Sequence, residues 1–335
     1  MCPNATVDRF ARVLGAGSYR PRRVVSNEEV AGPIGSSDAW IRARSGIRRR
    51  RWADDTETLS AMAAAAAEQA LSRAAVVPGQ VDCVLVASMT HMRQTPAAAS
   101  EVAARIGAPD AAAFDVSAAC AGFCYALALA NDMVCGGSAS VVLVVGAERM
   151  TDVLDHGDRG TAFVFGDGAG AVVVGPSHEP DIGPVVWGGD ATRTTAITQD
   201  RSWTAWRREL TADSHAAWPS LRMQGSAVFR WATTAIVDVA RRALKQAGIE
   251  VADLAAFIPH QANGRITDSL ARSLGLPDGV VIARDVEEQG NTSAASIPLA
   301  LCALLDTGAI RSGDRALLLG FGAGLTYAGQ VVTVP

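Results

Sequence analysis

Lysine is almost absent from this chain: Lys245 stands alone beside 29 arginines among the 30 basic residues. That excludes a phosphate-binding loop built on lysine, leaves Schiff-base chemistry one candidate, and means that any phosphate is held by guanidinium. The six cysteines, Cys2, Cys83, Cys120, Cys124, Cys135 and Cys302, include no C-x-x-C pair and form no Cys/His set at zinc spacing. Most lie in apolar stretches, which points to buried or catalytic thiols and to no metal. No apolar run reaches the ~18 residues of a membrane span, and the stretch from Met1 to Arg12 lacks an apolar signal core, so a cytoplasmic protein without a membrane anchor is expected. Positive charge is not in excess either; a net charge of −4 gives no reason to expect nucleic-acid binding. With 32 glycines and 14 prolines in 335 residues, the chain falls well below the ~25–30% of low-complexity sequences. The Gly15-Ala16-Gly17 turn lacks the third glycine of a dinucleotide fingerprint, and no Gly-x-Ser-x-Gly elbow occurs.

What is present is α/β patterning. Valine- and leucine-rich runs at 81–88 and 141–146 alternate with alanine-rich helical stretches at 59–71 and 121–134. The later part repeats the theme, with helices predicted at 228–247, 266–274 and 293–305 and strands at 255–259 and 316–319. Phe165-Gly166-Asp167-Gly168-Ala169-Gly170 echoes Phe321-Gly322-Ala323-Gly324, each before a strand, which predicts two similar halves over 1–186 and 221–335. Between them, 187–220 loses periodicity and carries Trp203, Trp206 and Trp218 beside Arg193, Arg201, Arg207 and Arg208. It reads as an insertion or lid, or as a surface excursion anchored by its tryptophans.

Cys120 follows a strand at 113–116 and opens an apolar helix. Unpaired amides and the positive helix end there predict a lowered thiol pKa and a usable nucleophile; the plainer reading is a small buried hydrophobe, as for Cys124. Of five histidines, His260 alone ends an apolar strand, Phe257-Ile258-Pro259, where α/β folds face their ligands. His91, His156, His178 and His215 lie in polar, loop-like surroundings. Asn291, in a glycine-led turn before a helix, reads equally as a cap. The turn from Gly320 to Gly324 suits an oxyanion site or any tight connection. What survives is a thiol acyl-transfer site.

Three segments in order, Ala118-Ala119-Cys120-Ala121-Gly122-Phe123, Pro259-His260-Gln261-Ala262-Asn263 and Gly290-Asn291-Thr292-Ser293-Ala294-Ala295-Ser296, resemble the ketoacyl-acyl-carrier-protein synthase III group of the thiolase superfamily. The likeness also runs through Ser37-Asp38-Ala39-Trp40-Ile41 and Arg44-Ser45-Gly46-Ile47-Arg48, and fails only over 187–220. The resemblance implies a duplicated five-layer α/β/α/β/α fold, a homodimer, and a catalytic set of Cys120, His260 and Asn291. It further implies oxyanion amides at Cys120 and Ala323, and Phe321 beside the decarboxylation site. Acyl-coenzyme A is the implied primer, with no permanently bound cofactor: Trp40 and Arg159 would hold the adenine, Arg44 the phosphorylated ribose, and Gly225 and Ser226 the pantetheine channel. Malonyl-loaded acyl carrier protein is the implied partner, docking at Arg230, Arg265 and Arg272, although Asp268 and Arg272 are also spaced for an ordinary helical ion pair.

Where acetyl-restricted members of the family carry a bulky aromatic before Pro96, closing the acyl pocket across the dimer, this chain has Thr95, so primers larger than acetyl are expected. Phe229-Arg230-Trp231 and Gly324-Leu325-Thr326-Tyr327-Ala328-Gly329 look closer to starter-unit synthases of aromatic polyketide pathways than to fatty-acid initiators. Two other readings stay open. One is an acyltransferase passing the Cys120-bound acyl group to a hydroxyl, amine or thiol; the other is a silent partner subunit.

Overall fold

The computed structural model describes residues 9–335, so Cys2 and most of the Met1-to-Arg12 stretch lie outside the described residues. The first half contains β1 (Phe10–Tyr19), β2 (Arg23–Ser26), α1 (Asn27–Ala31), α2 (Asp38–Ser45), β3 (Arg49–Trp52), α3 (Leu59–Ala74), β4 (Cys83–Ala87), α4 (Ala98–Ile106), β5 (Ala112–Val116), α5 (Gly122–Gly136), β6 (Val142–Glu148) and β7 (Gly168–Ser177). There follow β8 (Val186–Gly188), β9 (Ile197–Gln199), α6 (Trp203–Ala212), β10 (Leu221–Met223), α7 (Gly225–Ala247) and β11 (Ala256–Pro259). The chain ends with α8 (Gly264–Leu274), β12 (Val281–Ile282), α9 (Val286–Gln289), α10 (Ser296–Asp306), β13 (Arg315–Phe321) and β14 (Tyr327–Thr333).

Two five-stranded sheets share one topology. The first runs β1-β7-β6-β4-β5 and the second β8-β14-β13-β11-β12; in each, the first two junctions are antiparallel and the last two parallel. The glycine-containing segments that echo one another lead into the equivalent strands β7 and β14. Layering follows from which faces are apolar. Helices α3 and α4 cover the outer face of the first sheet and α7 and α8 that of the second, while α5 and α10 are buried between the sheets with Phe123, Leu127, Ile297 and Leu301 in the central core. This is the expected five-layer α/β/α/β/α arrangement.

Helices start and stop where local chemistry says they should. Ser37, Thr58 and Asn263 side chains cap the free amides of α2, α3 and α8. Gly46, Gly107 and Gly137 end α2, α4 and α5 in the left-handed conformation. Gly15 and Gly17 serve packing: a Cβ on Gly17 would sit 2.2 Å from the Ala66 carbonyl oxygen, so α3 closes on β1 only because both surfaces are small. Residues 119–136 form the one helical stretch among the described residues long and apolar enough to suit a bilayer, a property that no simple run of apolar residues discloses because Asn131 and Asp132 interrupt it. Here both sheets enclose it.

Segment 187–220 is more ordered than its pattern predicts. Trp187 and Gly188 belong to β8, an edge strand of the second sheet, and α6 buries none of its residues. The Trp218 ring lies 5.1 Å from Trp203 and 5.0 Å from Trp206, and its indole N–H donates to the Asp152 carbonyl at 2.9 Å. These tryptophans therefore anchor the excursion; only Ile197 of this segment lines the cavity described below.

Candidate active site

The carboxyl ends of β5, β11 and β13 point at one region, and the connections that leave them carry the expected residues. Cys120 lies in a single 3-10 turn between β5 and α5; Asn291 lies in the corresponding connection of the second half, between β12 and α10. His260 directly follows β11, and Phe321 closes β13. Cys120, His260, Asn291, Phe321 and Ala323 line one cavity of about 550 Å³. The backbone is under tension around it: Ala119, Ser293 and Leu325 hold φ of 45°, 48° and 44°, each costing about 1–3 kcal/mol. Gly322 packs directly on Cys120, where a Cβ would lie 2.7 Å from Cys120 Cβ and 3.0 Å from its backbone nitrogen.

Second contacts orient both polar partners. The Gln261 amide donates to Ser296 Oγ at 3.3 Å, so the serine can give its own proton to His260 Nδ1, 2.7 Å away. With the Ser296 proton donated to Nδ1, the neutral ring carries its own proton on Nε2. Asn291 Oδ1 accepts from the Ser293 amide at 2.8 Å, which leaves the Nδ2 donors for the cavity. Asn291 thus satisfies a free amide ahead of α10, as a cap does, and lines the cavity as well. Phe321 meets the His260 ring edge to face at 5.3 Å. Burial pushes the His260 pKa down to about 3, so the ring is neutral across the physiological range.

The lowered thiol pKa expected for Cys120 is overturned. Burial pushes it up to about 12, outweighing hydrogen bonds from Ser293 and from the Cys120 and Ala323 amides; nearby Glu148 raises it further. The sulfur sits a turn ahead of α5, and desolvation of an anion exceeds what a helix end supplies. The resting group is a thiol. Ala323, from the far half of the chain, nevertheless lines the same cavity as the sulfur.

At the mouth, Trp40 is clasped by Arg159, 4.7 Å above its ring centroid, and by Arg44 at 5.2 Å, and it meets Phe163 edge to face at 5.2 Å. Gly225 and Ser226, opening α7, line the same cavity, as do Arg230 and Arg265. Arg265 lies over Phe229 at 5.4 Å, and neither arginine pairs with an acid among the described residues. Arg272 is exposed and does not line the cavity. Its expected pairing with Asp268 does not form, because Arg284 takes that carboxylate at 2.7 Å. Thr95 is exposed and outside its own chain's cavity. Cys83, Cys124 and Cys302 are free and buried, as their apolar settings predict.

Several contributors escape sequence reasoning. Met89, Met150 and Phe163 line the cavity from segments whose pattern says only that they are apolar. Ser293, Ser296 and Glu148 surround the catalytic candidates; for Glu148 the available signal is one acid closing an otherwise apolar strand.

Comparison with known proteins gives the same direction. The profile described as 3-oxoacyl-[acyl-carrier-protein (ACP)] synthase III matches residues 114–191, and its C-terminal counterpart matches 244–334. A beta-ketoacyl-[acyl-carrier-protein] synthase III of Streptomyces glaucescens is 53% identical over 326 residues, covering 97% of both chains. One from Streptomyces coelicolor is 54% identical over 332 residues, again covering 97% of both. Among solved structures, the priming beta-ketosynthase of the R1128 polyketide biosynthetic pathway matches with a TM-score of 0.96 and 50% identity, over 100% of this chain and 99% of the other.

Proposed function

The chain belongs to the β-ketoacyl-acyl-carrier-protein synthase III family of condensing acyltransferases, and from that premise we propose that it loads an acyl group larger than acetyl from coenzyme A onto Cys120 and condenses it with malonyl-acyl carrier protein. The convergence of Cys120, His260 and Asn291 in one cavity carries this reading. Attack of the Cys120 sulfur on the primer thioester generates an oxyanion facing the Cys120 and Ala323 amides, and collapse expels coenzyme A. Malonyl thioester then presents its carbonyl oxygen to His260 Nε2–H and Asn291 Nδ2–H. Both donors stabilise the enolate as carbon dioxide leaves, and neither repels it, because both are neutral. The carbanion attacks acyl-Cys120 and releases a β-ketoacyl thioester.

Exposed arginines at the mouth support the choice of a phosphate-bearing primer and an acidic carrier: Arg44 and Arg159 for the nucleotide, Arg230 and Arg265, with Arg272 beyond them, for the carrier. The outer strand β5 has no further neighbour in its sheet and leaves Phe114 42% exposed, a surface that a second copy would cover in a homodimer. Coenzyme A thioesters as primers imply a cytoplasmic enzyme. Likeness to a polyketide-priming enzyme favours starter-unit supply over fatty-acid initiation.

Incubation with a panel of acyl-coenzyme A thioesters, read by intact mass, tests nucleophile and primer together. Propionyl, branched and longer groups are expected to load Cys120 at least as fast as acetyl; preference for acetyl over every larger primer refutes the pocket assignment. Malonyl-dependent release of carbon dioxide separates condensation from simple acyl transfer. A second expectation concerns pH. Because the His260 pKa is depressed and not raised, its imidazole stays neutral on acidification, and decarboxylation by preloaded enzyme should show no imidazole inflection between about pH 5.5 and 8. Folding carries the opposite signature: the stability that neutral burial of His260 gives is present above the unfolded pKa near 6.5 and is lost as pH falls toward 3.

A further inference from the structure

Glu148 ends β6 with no exposed surface, and nothing in the condensation described above uses it. Its carboxylate receives Thr90 Oγ1 at 2.6 Å, Ser293 Oγ at 2.9 Å, the Met89 amide at 3.2 Å and Ser88 Oγ at 3.2 Å. All four donors are neutral. A buried carboxylate without a cation is costly to keep charged, and its pKa is pushed up to about 7. Ser293, itself fully buried, belongs to the turn that packs against the turn holding Cys120, so one hydroxyl stands between the acid and the thiol.

The other groups around Glu148 do not compete. On its own side Arg149 turns outward to Asp152 at 3.1 Å and Asp55 at 3.9 Å. Asp167, just before β7, is engaged by the Ala53 amide and by Thr151. From α3 the nearest acid, Glu68, is exposed, and from the loop after β4 only Ser88, Met89 and Thr90 approach. The turn before α5 contributes Cys120 itself as the titratable neighbour. His260, the other base in the cavity, is occupied at Nδ1 by Ser296 and is much the weaker proton acceptor.

We propose that Glu148 accepts the Cys120 thiol proton during acyl loading, with Ser293 as the relay between them. The inference rests on Cys120 being the nucleophile. In the resting arrangement Cys120 S–H donates to Ser293 Oγ while Ser293 O–H donates to Glu148 Oε1. The S–H bond breaks as a new Ser293 O–H bond forms, and the original hydroxyl proton bonds to Glu148. Negative charge moves from carboxylate to sulfur, which the serine, now reversed, stabilises by donating to it. Thiolate attack expels coenzyme A as its own thiolate, which takes a proton from solvent at the mouth. The proton stays on Glu148 until condensation releases Cys120 as thiolate, whereupon the same path runs backward. One turnover thus consumes one solvent proton and returns every group to its starting state.

The test follows acyl loading of the full-length protein by intact mass from about pH 5.5 to 9, using the best thioester from the primer panel, for the wild type, Glu148→Gln and Ser293→Ala. The wild-type rate should rise with pH through about 7 and then level. Each variant should load about 10²–10⁴-fold more slowly and lose the inflection, with folding checked by thermal unfolding. Loss of the inflection in either folded variant supports the relay. A wild-type profile without it, or an inflection near 7 persisting in both variants, overturns the relay. No adduct on wild-type Cys120 at any pH instead sinks the nucleophile assignment beneath it.

Discussion

Cys120→Ala yields no covalent adduct with any acyl-coenzyme A, while His260→Ala and Asn291→Ala still load and fail at the second step. The physical basis is a division of charge. Loading develops negative charge on an oxygen that faces the Cys120 and Ala323 amides, and truncating the other two side chains leaves those amides in place. Decarboxylation develops it on the malonyl thioester oxygen, toward His260 Nε2 and Asn291 Nδ2. Losing one such donor costs about 10²–10³ in rate, so each variant should release carbon dioxide from malonyl-acyl carrier protein that much more slowly. Intact-mass loading and carbon dioxide release, measured on the same preparations, separate the steps. Equal loss of loading in all three variants would contradict the assignment.

The second large effect is expected at a residue with no side chain. Gly322 holds extended backbone, so its replacement by alanine adds no torsional strain; the difficulty is space, with the new methyl 2.7 Å from Cys120 Cβ and 3.1 Å from Sγ. Neither neighbour can yield easily, because Cys120 follows Ala119 at φ 45° and its turn is packed between the sheets. Overpacking of this kind costs about 1–3 kcal/mol in stability. The larger consequence is displacement of the sulfur from the Ala323 amide. Misplacement by an ångström costs on the order of 10²-fold, so Gly322→Ala should lose at least that much loading rate while remaining folded. Thermal unfolding beside the loading assay checks it; wild-type loading in a folded Gly322→Ala protein would show that the site has slack.

Legibility differed by element for physical reasons. Strands β4, β6 and β13 and helix α3 are apolar over their length or on one face, and burial demands that pattern of any sequence that fills those layers. Segment 187–220 hid β8 because a three-residue edge strand paired on one side imposes no period. Its tryptophans Trp203, Trp206 and Trp218, which no period placed, pack on one another. The Asp268–Arg272 spacing satisfied the helical rule, yet Arg284, sixteen residues away, offered a better geometry.

By itself the amino-acid order determined the alternation of layers, because burial imposes a period, while it put Cys120, His260 and Asn291 forward together only through their resemblance to the motifs of one family. Only the folded molecule decided their protonation. Whether a thiol ionises depends on what water is excluded and which donors arrive from distant segments, and at Cys120 these come from Ser293, Ala323 and Glu148, none of them near it in the chain. Desolvation is a property of enclosure, which the order of residues along a strand does not record.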